Sequence, residues 1–272
     1  MKKLRRSARL VEITYQLISQ PHTLFPLAHF AERYESAKSS ISEDLAIIKE
    51  TFEAEGIGQL KTLAGAAGGV KYIPLMDKKI MESFLQEICH SLEKPERILP
   101  GGYLYMSDIL GNPAILNRIG KIFASVFVDQ GAEFILTVET KGIPLAYATA
   151  QYLQIPVVIV RRDNRVTEGS VVSINYISGS SKRIQTMSLA RRALVEGAKV
   201  LIIDDFMKAG GTIKGIMDLL QEFDADVVGT GVFVEAEQAE ERLVEGYVSL
   251  AQLKSVDVKD KLIKVVPGNL FH

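Results

Sequence analysis

Cysteine is nearly absent from the 272 residues, with Cys89 standing alone. That excludes an internal disulfide framework and points to a reducing, cytoplasmic compartment. Histidine is almost as scarce. Cys89-His90 has no second cysteine nearby, and His22, His29 and His272 have no metal-ligand spacing, so no metal site is expected. Long apolar runs are missing too. The longest aliphatic blocks are Val157-Val158-Ile159-Val160 and Val200-Leu201-Ile202-Ile203, too short to span a membrane. The basic start leads into helix-like sequence with Glu12 and Gln16, where a signal peptide has an apolar core. Charge of one sign does not dominate, since 32 Lys and Arg meet 33 Asp and Glu. What is present, 47% hydrophobic and 24% charged residues, excludes a disordered or fibrous chain. The length suits one large domain or two ordinary ones.

The balanced total hides an uneven distribution. Residues 1–74 carry ten Lys and Arg against eight acids, and residues 75–272 carry 22 against 25. Lys2, Lys3, Arg5, Arg6 and Arg9 fall within the first ten residues, with no acid among them. Such a cluster attracts a polyanion, although a solvated basic terminus has the same composition. Behind it, Leu10, Ile13, Leu17 and Ile18 keep a helical period until Pro21. A short helix follows Pro26, and a third begins near Lys38, where Ser40-Ile41-Ser42-Glu43 fits a capping box. After Gly56, segments 59–63 and 70–73 flank a glycine-rich turn and read as a hairpin.

Three short helices and a hairpin in this order predict a winged helix-turn-helix over residues 1–74. Such a unit presents one helix to a DNA groove and a wing to phosphate. The expected DNA-contacting residues are Lys2, Lys3, Arg5 and Arg6 of the tail, Lys38, Ser39, Ser40 and Ser42 of the third helix, and Lys61 and Lys71 of the hairpin. Short hydroxyls at a helix start let its amides approach the DNA backbone closely. Three-helix units also serve in protein–protein contacts, so periodicity alone leaves both roles open.

Residues 75–272 have a different rhythm. Helices are expected over 77–92, from 113 to 130, over 143–153 and over 212–223; strands are expected over 134–139, 157–161, 199–204 and 227–235. This alternation, with strands apolar on both faces, indicates a parallel sheet covered by helices. Its most informative stretch runs from Val200 to Thr212. Four aliphatic residues make a buried strand, Asp204 and Asp205 stand at its carboxyl end, and Phe206-Met207-Lys208-Ala209-Gly210-Gly211 turns into a helix at Thr212. Backbone amides in such a turn make a phosphate cradle. Two adjacent carboxylates suit the cis-diol of a ribose. Together they describe a phosphorylated ribose.

This stretch resembles the phosphoribosyl pyrophosphate (PRPP) motif of the type I phosphoribosyltransferases, a resemblance that covers most of residues 95–250. It implies that Asp204 and Asp205 hold the ribose hydroxyls and that Lys208 to Thr212 surround the 5′-phosphate. It also implies that Thr140-Lys141-Gly142 is the pyrophosphate loop, that Arg161 opens a loop closing over PRPP, and that Mg2+ accompanies the pyrophosphate. Lys208 and Ala209 depart from the small or hydroxyl residues usual in the family's turn. Tyr103, in Pro100-Gly101-Gly102-Tyr103, and Phe206 are candidates for stacking on a base.

The two halves together resemble the bacterial purine operon repressors over nearly the full length. Lys38-Ser39-Ser40-Ile41-Ser42-Glu43-Asp44, Val166-Thr167-Glu168-Gly169-Ser170 and the 204–211 motif carry the match. The resemblance implies a homodimeric regulator of purine synthesis and transport genes with no catalytic residues. Its operator DNA would be released by PRPP, and guanosine tetraphosphate would compete for the same pocket and favour repression. Two rival readings are an active purine salvage phosphoribosyltransferase with an appended regulatory domain, and a nucleotide sensor whose helical unit binds protein.

Overall fold

The computed structural model describes residues 4–65, 68–162, 169–177, 184–237 and 242–271. Lys2 and Lys3, the stretch 163–168 of the expected closing loop, and residues 238–241 therefore lie outside the described residues. The chain divides into two compact units, Met1–Lys78 with Tyr152–Gln154, and Lys79–Gln151 with Ile155–His272.

In the first unit, α1 (Arg6–Ser19) is followed by α2 (Leu27–Arg33), α3 (Lys38–Ala54), β1 (Gln59–Leu63) and β2 (Gly69–Ile73). One face of each helix supplies the core. Ile13 and Leu17 of α1, Phe30 of α2, and Ile41, Leu45, Ile48 and Phe52 of α3 close on Leu60, Val70 and Tyr72 of the hairpin. Each such side chain contributes roughly 1.5–3 kcal/mol relative to leaving it in water. The expected capping box at Ser40–Glu43 is not the start of α3. The Ile41 amide already donates to the Ala37 carbonyl at 3.1 Å, so Ser40 and Ser42 sit inside the helix, whose N-cap Ala37 has no side-chain bond. Asp44, fully buried on α3, accepts from Arg9 and, at 2.9 Å, from Arg6, both on α1. That network ties the first helix to the third.

β1 and β2 pair antiparallel, with Lys61 directly opposite Lys71. Phe25 extends the ladder, exchanging two 2.9 Å backbone bonds with Val70. The approach is so close that a Cβ on Gly69 would overlap the Phe25 carbonyl. Helix, helix, helix and a pinned hairpin make a winged helix.

The second unit begins with α4 (Lys78–Leu92), a small hairpin of β3 (Ile98–Leu99) and β4 (Tyr103–Leu104), α5 (Ser107–Leu110) and α6 (Pro113–Phe127). Asn112 caps α6 through bonds to the amides of Ala114 and Ile115. Then follow β5 (Phe134–Val138), α7 (Gly142–Leu153), β6 (Val157–Val160), β7 (Val171–Ile177), β8 (Ile184–Ala190), β9 (Lys199–Met207), α8 (Gly211–Gln221), β10 (Asp226–Ala236), β11 (Val248–Asp257) and β12 (Leu262–Pro267). The main sheet has the order β12-β11-β10-β9-β5-β6, all pairs parallel except β11 with β12. This is the expected α/β parallel sheet, and its four expected strands are neighbours in it. β7 and β8 form a separate antiparallel hairpin.

Apolar residues on both faces of the central strands explain the layering. Leu136, Val158, Val200 and Ile202 pack with Ile213, Ile216, Leu219 and Leu220 of α8 and with Tyr176 and Met187 of the hairpin. From β5 the chain crosses through α7 to β6 on one side, and from β9 through α8 to β10 on the other. The order therefore reverses between β5 and β9, and their carboxyl ends leave a crevice there.

Candidate functional site

A cavity of about 820 Å³ occupies that crevice. Its floor is the end of β9. Asp204 is 4% exposed and its Oδ1 accepts from the Asp205 amide at 2.9 Å. Burial pushes the Asp204 carboxyl well above the ordinary carboxylate value, and the neighbouring Asp205 charge pushes it further. Burial raises Asp205 as well, while the hydrogen bond from Asp204, then Lys141 and Arg162, pull it back. Of the two, Asp204 is the more strongly raised. Two carboxyls this poorly solvated are matched by hydroxyl donors.

Phe206, Met207, Lys208, Ala209, Gly210, Gly211 and Thr212 continue the wall, so the whole expected motif meets the cavity. Met207 is packed into the core beneath. Lys208 is exposed. The turn ends at Gly210, which caps α8 at φ +90°, a backbone state that favours glycine.

Opposite this wall lie Val138, Glu139, Thr140 and Lys141 from the end of β5, joined by Arg162. Gly142, first residue of α7, does not line the cavity. It makes room behind it, because a Cβ there would overlap Thr137 Oγ1 and stand 3.2 Å from Asp204 Oδ1. Arg161 is not on the wall either. Its Nη1 donates to Glu139 Oε2 at 3.2 Å, while Glu139 Oε1 accepts from the Arg162 amide at 2.8 Å. Tyr103, 61% exposed, borders the mouth together with Leu99 and Leu104, and Met106 and Leu253 add apolar surface. Cations, buried carboxyls and an apolar rim converge on one space. That combination is chemically suited to an anion that also carries hydroxyls and an apolar group.

Sequence reasoning missed Glu139 as a wall residue and the apolar rim beyond Tyr103, while Arg162 belongs to the expected closing loop. Glu139 carried a usable signal. It follows a buried strand directly, the place where Asp204 was expected, although β9 in fact runs on past Asp204 to Met207.

In the winged helix, Arg5, Lys38, Ser39, Ser42 and Lys61 are exposed, and Ser40 and Lys71 are half-buried. Arg6 is committed to Asp44 and Glu43, which makes it first a brace of the fold. The facing pair Lys61 and Lys71 places like charges directly opposite, which costs stability unless an anion lies between or beside them.

Residues 5–74 match the family described as the bacterial purine repressor N-terminal domain, and residues 106–265 match the phosphoribosyl transferase domain family. Over 270 residues the chain is 62% identical to the purine biosynthesis transcriptional repressor of Bacillus subtilis, covering 99% of this chain and 95% of that protein. The chain belongs to the bacterial purine repressor family. Another relative, the purine biosynthesis transcriptional activator of Lactococcus lactis, is 44% identical over 269 residues, covering 99% of each chain. Among solved structures, adenine phosphoribosyltransferase from Thermoanaerobacter pseudethanolicus aligns with a TM-score of 0.54 at 18% identity, covering 62% of this chain and 99% of that one. At that identity the likeness is one of fold, and it places the second unit of this family member among phosphoribosyltransferase folds. Among the described residues of this purine repressor family member, no helix is long and apolar enough to cross a membrane.

Proposed function

We propose that this chain represses purine biosynthesis and transport genes by binding operator DNA as a homodimer in the cytoplasm, and that PRPP is its inducer. The observation that carries the reading is a likeness to a repressor over 99% of the chain, in a chain whose acidic doublet, glycine turn and 139–141 segment line one cavity. Asp204 and Asp205 take the ribose hydroxyls, the 208–212 turn takes the 5′-phosphate, and Thr140 with Lys141 and Arg162 takes the pyrophosphate. Mg2+ enters on the pyrophosphate. Pyrophosphate oxygens and water would complete its shell. Guanosine tetraphosphate competes through the same cations, with its base against Tyr103 and the apolar rim.

The pocket binds without transfer chemistry. Lys208 stands where the enzymes' turn carries a small or hydroxyl residue, so charge and bulk stand where transfer geometry is set. PRPP then weakens operator binding because it binds the DNA-free arrangement better, a linkage that holds in both directions.

An operator-shift assay with and without PRPP, run beside a pyrophosphate-release assay with purine bases, tests the reading. PRPP should raise the protein concentration needed for half-maximal shift about tenfold, with no pyrophosphate released. Release of pyrophosphate returns the salvage-enzyme alternative. Asp204→Ala with Asp205→Ala should shift operator normally and ignore PRPP; a double variant that still lets go on PRPP addition removes the assigned pocket. Because one relative is named an activator, run-off transcription from an operator template decides the sign of control. More transcript on protein addition overturns repression.

A further inference from the structure

A phosphate turn works only if its peptide N–H groups face the ligand, and a segment outside the cavity sets that orientation here. Arg242, Leu243 and Val244 run along the turn residue by residue. Arg242 Nη1 donates to the Lys208 carbonyl at 3.0 Å, and the Leu243 amide donates to the Ala209 carbonyl at 3.0 Å. Val244 lies so close to Gly210 that a Cβ there would stand 2.6 Å from Val244 Cγ2. Among the described residues, 242–244 are not part of the cavity wall, whereas 208–210 are.

In a trans peptide the C=O and N–H point in opposite directions. Fixing the carbonyls of Lys208 and Ala209 on the 242–243 side turns the amides of Ala209 and Gly210 to the other side, where these residues wall the cavity. Arg242 is itself held. Its Nη2 donates to Glu235 Oε2 at 2.6 Å and to the Ala236 carbonyl at 2.8 Å. Glu235, 3% exposed, also accepts from the Tyr247 hydroxyl at 2.7 Å and from Ser249 Oγ at 2.7 Å. Parallel pairing sets Glu235 beside Met207, the residue before the turn. The anchor and the turn are thus fixed to the same pair of strands.

We propose that Arg242, braced by Glu235, is a positioning residue that presets the amides of Ala209 and Gly210 to receive a phosphate monoester. The proposal rests on the reading of this pocket as a sugar-phosphate site. A turn already oriented spends no binding free energy on ordering itself, so the brace acts on affinity for the phosphate that the turn contacts. It has no bearing on ligands held by the 139–141 wall.

The test is calorimetric titration of the full chain with ribose 5-phosphate and, separately, with inorganic pyrophosphate. Arg242→Lys is the deciding variant. It keeps a positive charge against Glu235, and so the fold, but loses the planar fork that serves Glu235 and the Lys208 carbonyl together. Affinity for ribose 5-phosphate should fall about tenfold, the effect of losing one charge-assisted hydrogen bond, while pyrophosphate stays within about twofold. Arg242→Met should show the same selectivity with a larger loss. Leu243→Ala, which keeps its amide, should bind both probes as the wild type does. If Arg242→Lys loses neither probe, or loses both equally, the brace is overturned. A wild-type chain that binds neither probe overturns the pocket reading itself, and the brace with it.

Discussion

Asp204 carries the sharpest conflict between stability and binding in the second unit. It is nearly excluded from water, next to a second acid, and its carboxyl is held above the ordinary value. The folded chain therefore keeps a proton there at a pH where the unfolded chain has released it. Stability from the protonated form is complete below the ordinary carboxylate range, near pH 4, and is lost as pH rises through the elevated value. Asparagine is neutral at every pH and can still accept from the Asp205 amide. Asp204→Asn should accordingly melt above wild type at pH 7, with the difference shrinking toward pH 4 in a calorimetric series, and should bind PRPP more weakly. A variant that melts lower at pH 7 contradicts this account of the pair. The acidic doublet was legible in the sequence because four aliphatic residues precede it and a glycine turn follows. Glu235 and Arg242 were not. Glu235 closes a buried strand, but charged residues from Glu237 onward resemble an ordinary solvated loop, and only the fold brings Arg242 against the turn.

Pattern served best for elements with strong periodicity. The expected helices and the four central strands are where apolar spacing placed them, with β9 running on from Asp204 to Met207, whereas α5, the β3–β4 and β7–β8 hairpins and the strands β11 and β12 were not expected. In the β7–β8 hairpin Ile177 and Ile184 are more than half exposed, which blurs the pattern. β12 does alternate, with Ile263 and Val265 buried between more exposed neighbours, a signal that sequence reasoning passed over. The capping box of α3 was misplaced for another reason. Serine invites a capping assignment, but the backbone bond from Ile41 to Ala37 had already begun the helix. The link between α1 and α3 was also invisible, because the basic start reads as a solvated or DNA-facing terminus. Arg9 in fact buries its side chain on Asp44. Removing one partner of a buried ion pair leaves an uncompensated charge, at a cost of about 3–5 kcal/mol. Arg6 remains to share that charge, so Arg9→Met should cost about 3 kcal/mol, the low end of that range. Hydrogen-exchange mass spectrometry should show the loss as weaker protection in α1 and α3. Unchanged protection there refutes the role of the network.

At the scale of the molecule, charge is divided by task. The first 74 residues carry the excess of Lys and Arg, and the remainder carries the excess of acid, so attraction to a polyanion is concentrated in the winged helix. Operator binding should therefore weaken steeply with salt. Each lost phosphate contact should flatten the logarithmic slope by about 0.9. Lys38→Ala and Lys61→Ala are each expected to do so in fluorescence-anisotropy titrations across salt concentrations, with similar losses on operator and unrelated duplexes. A variant with the parental slope is not at the interface. The wing also separates what must stay constant from what can change. Its base is clamped where Gly69 and Val70 pass against Phe25. Such a hairpin behaves as a socket with an exchangeable tip. Loops of other lengths grafted there would retarget the protein to new promoters and leave the melting temperature of its helical bundle where it was.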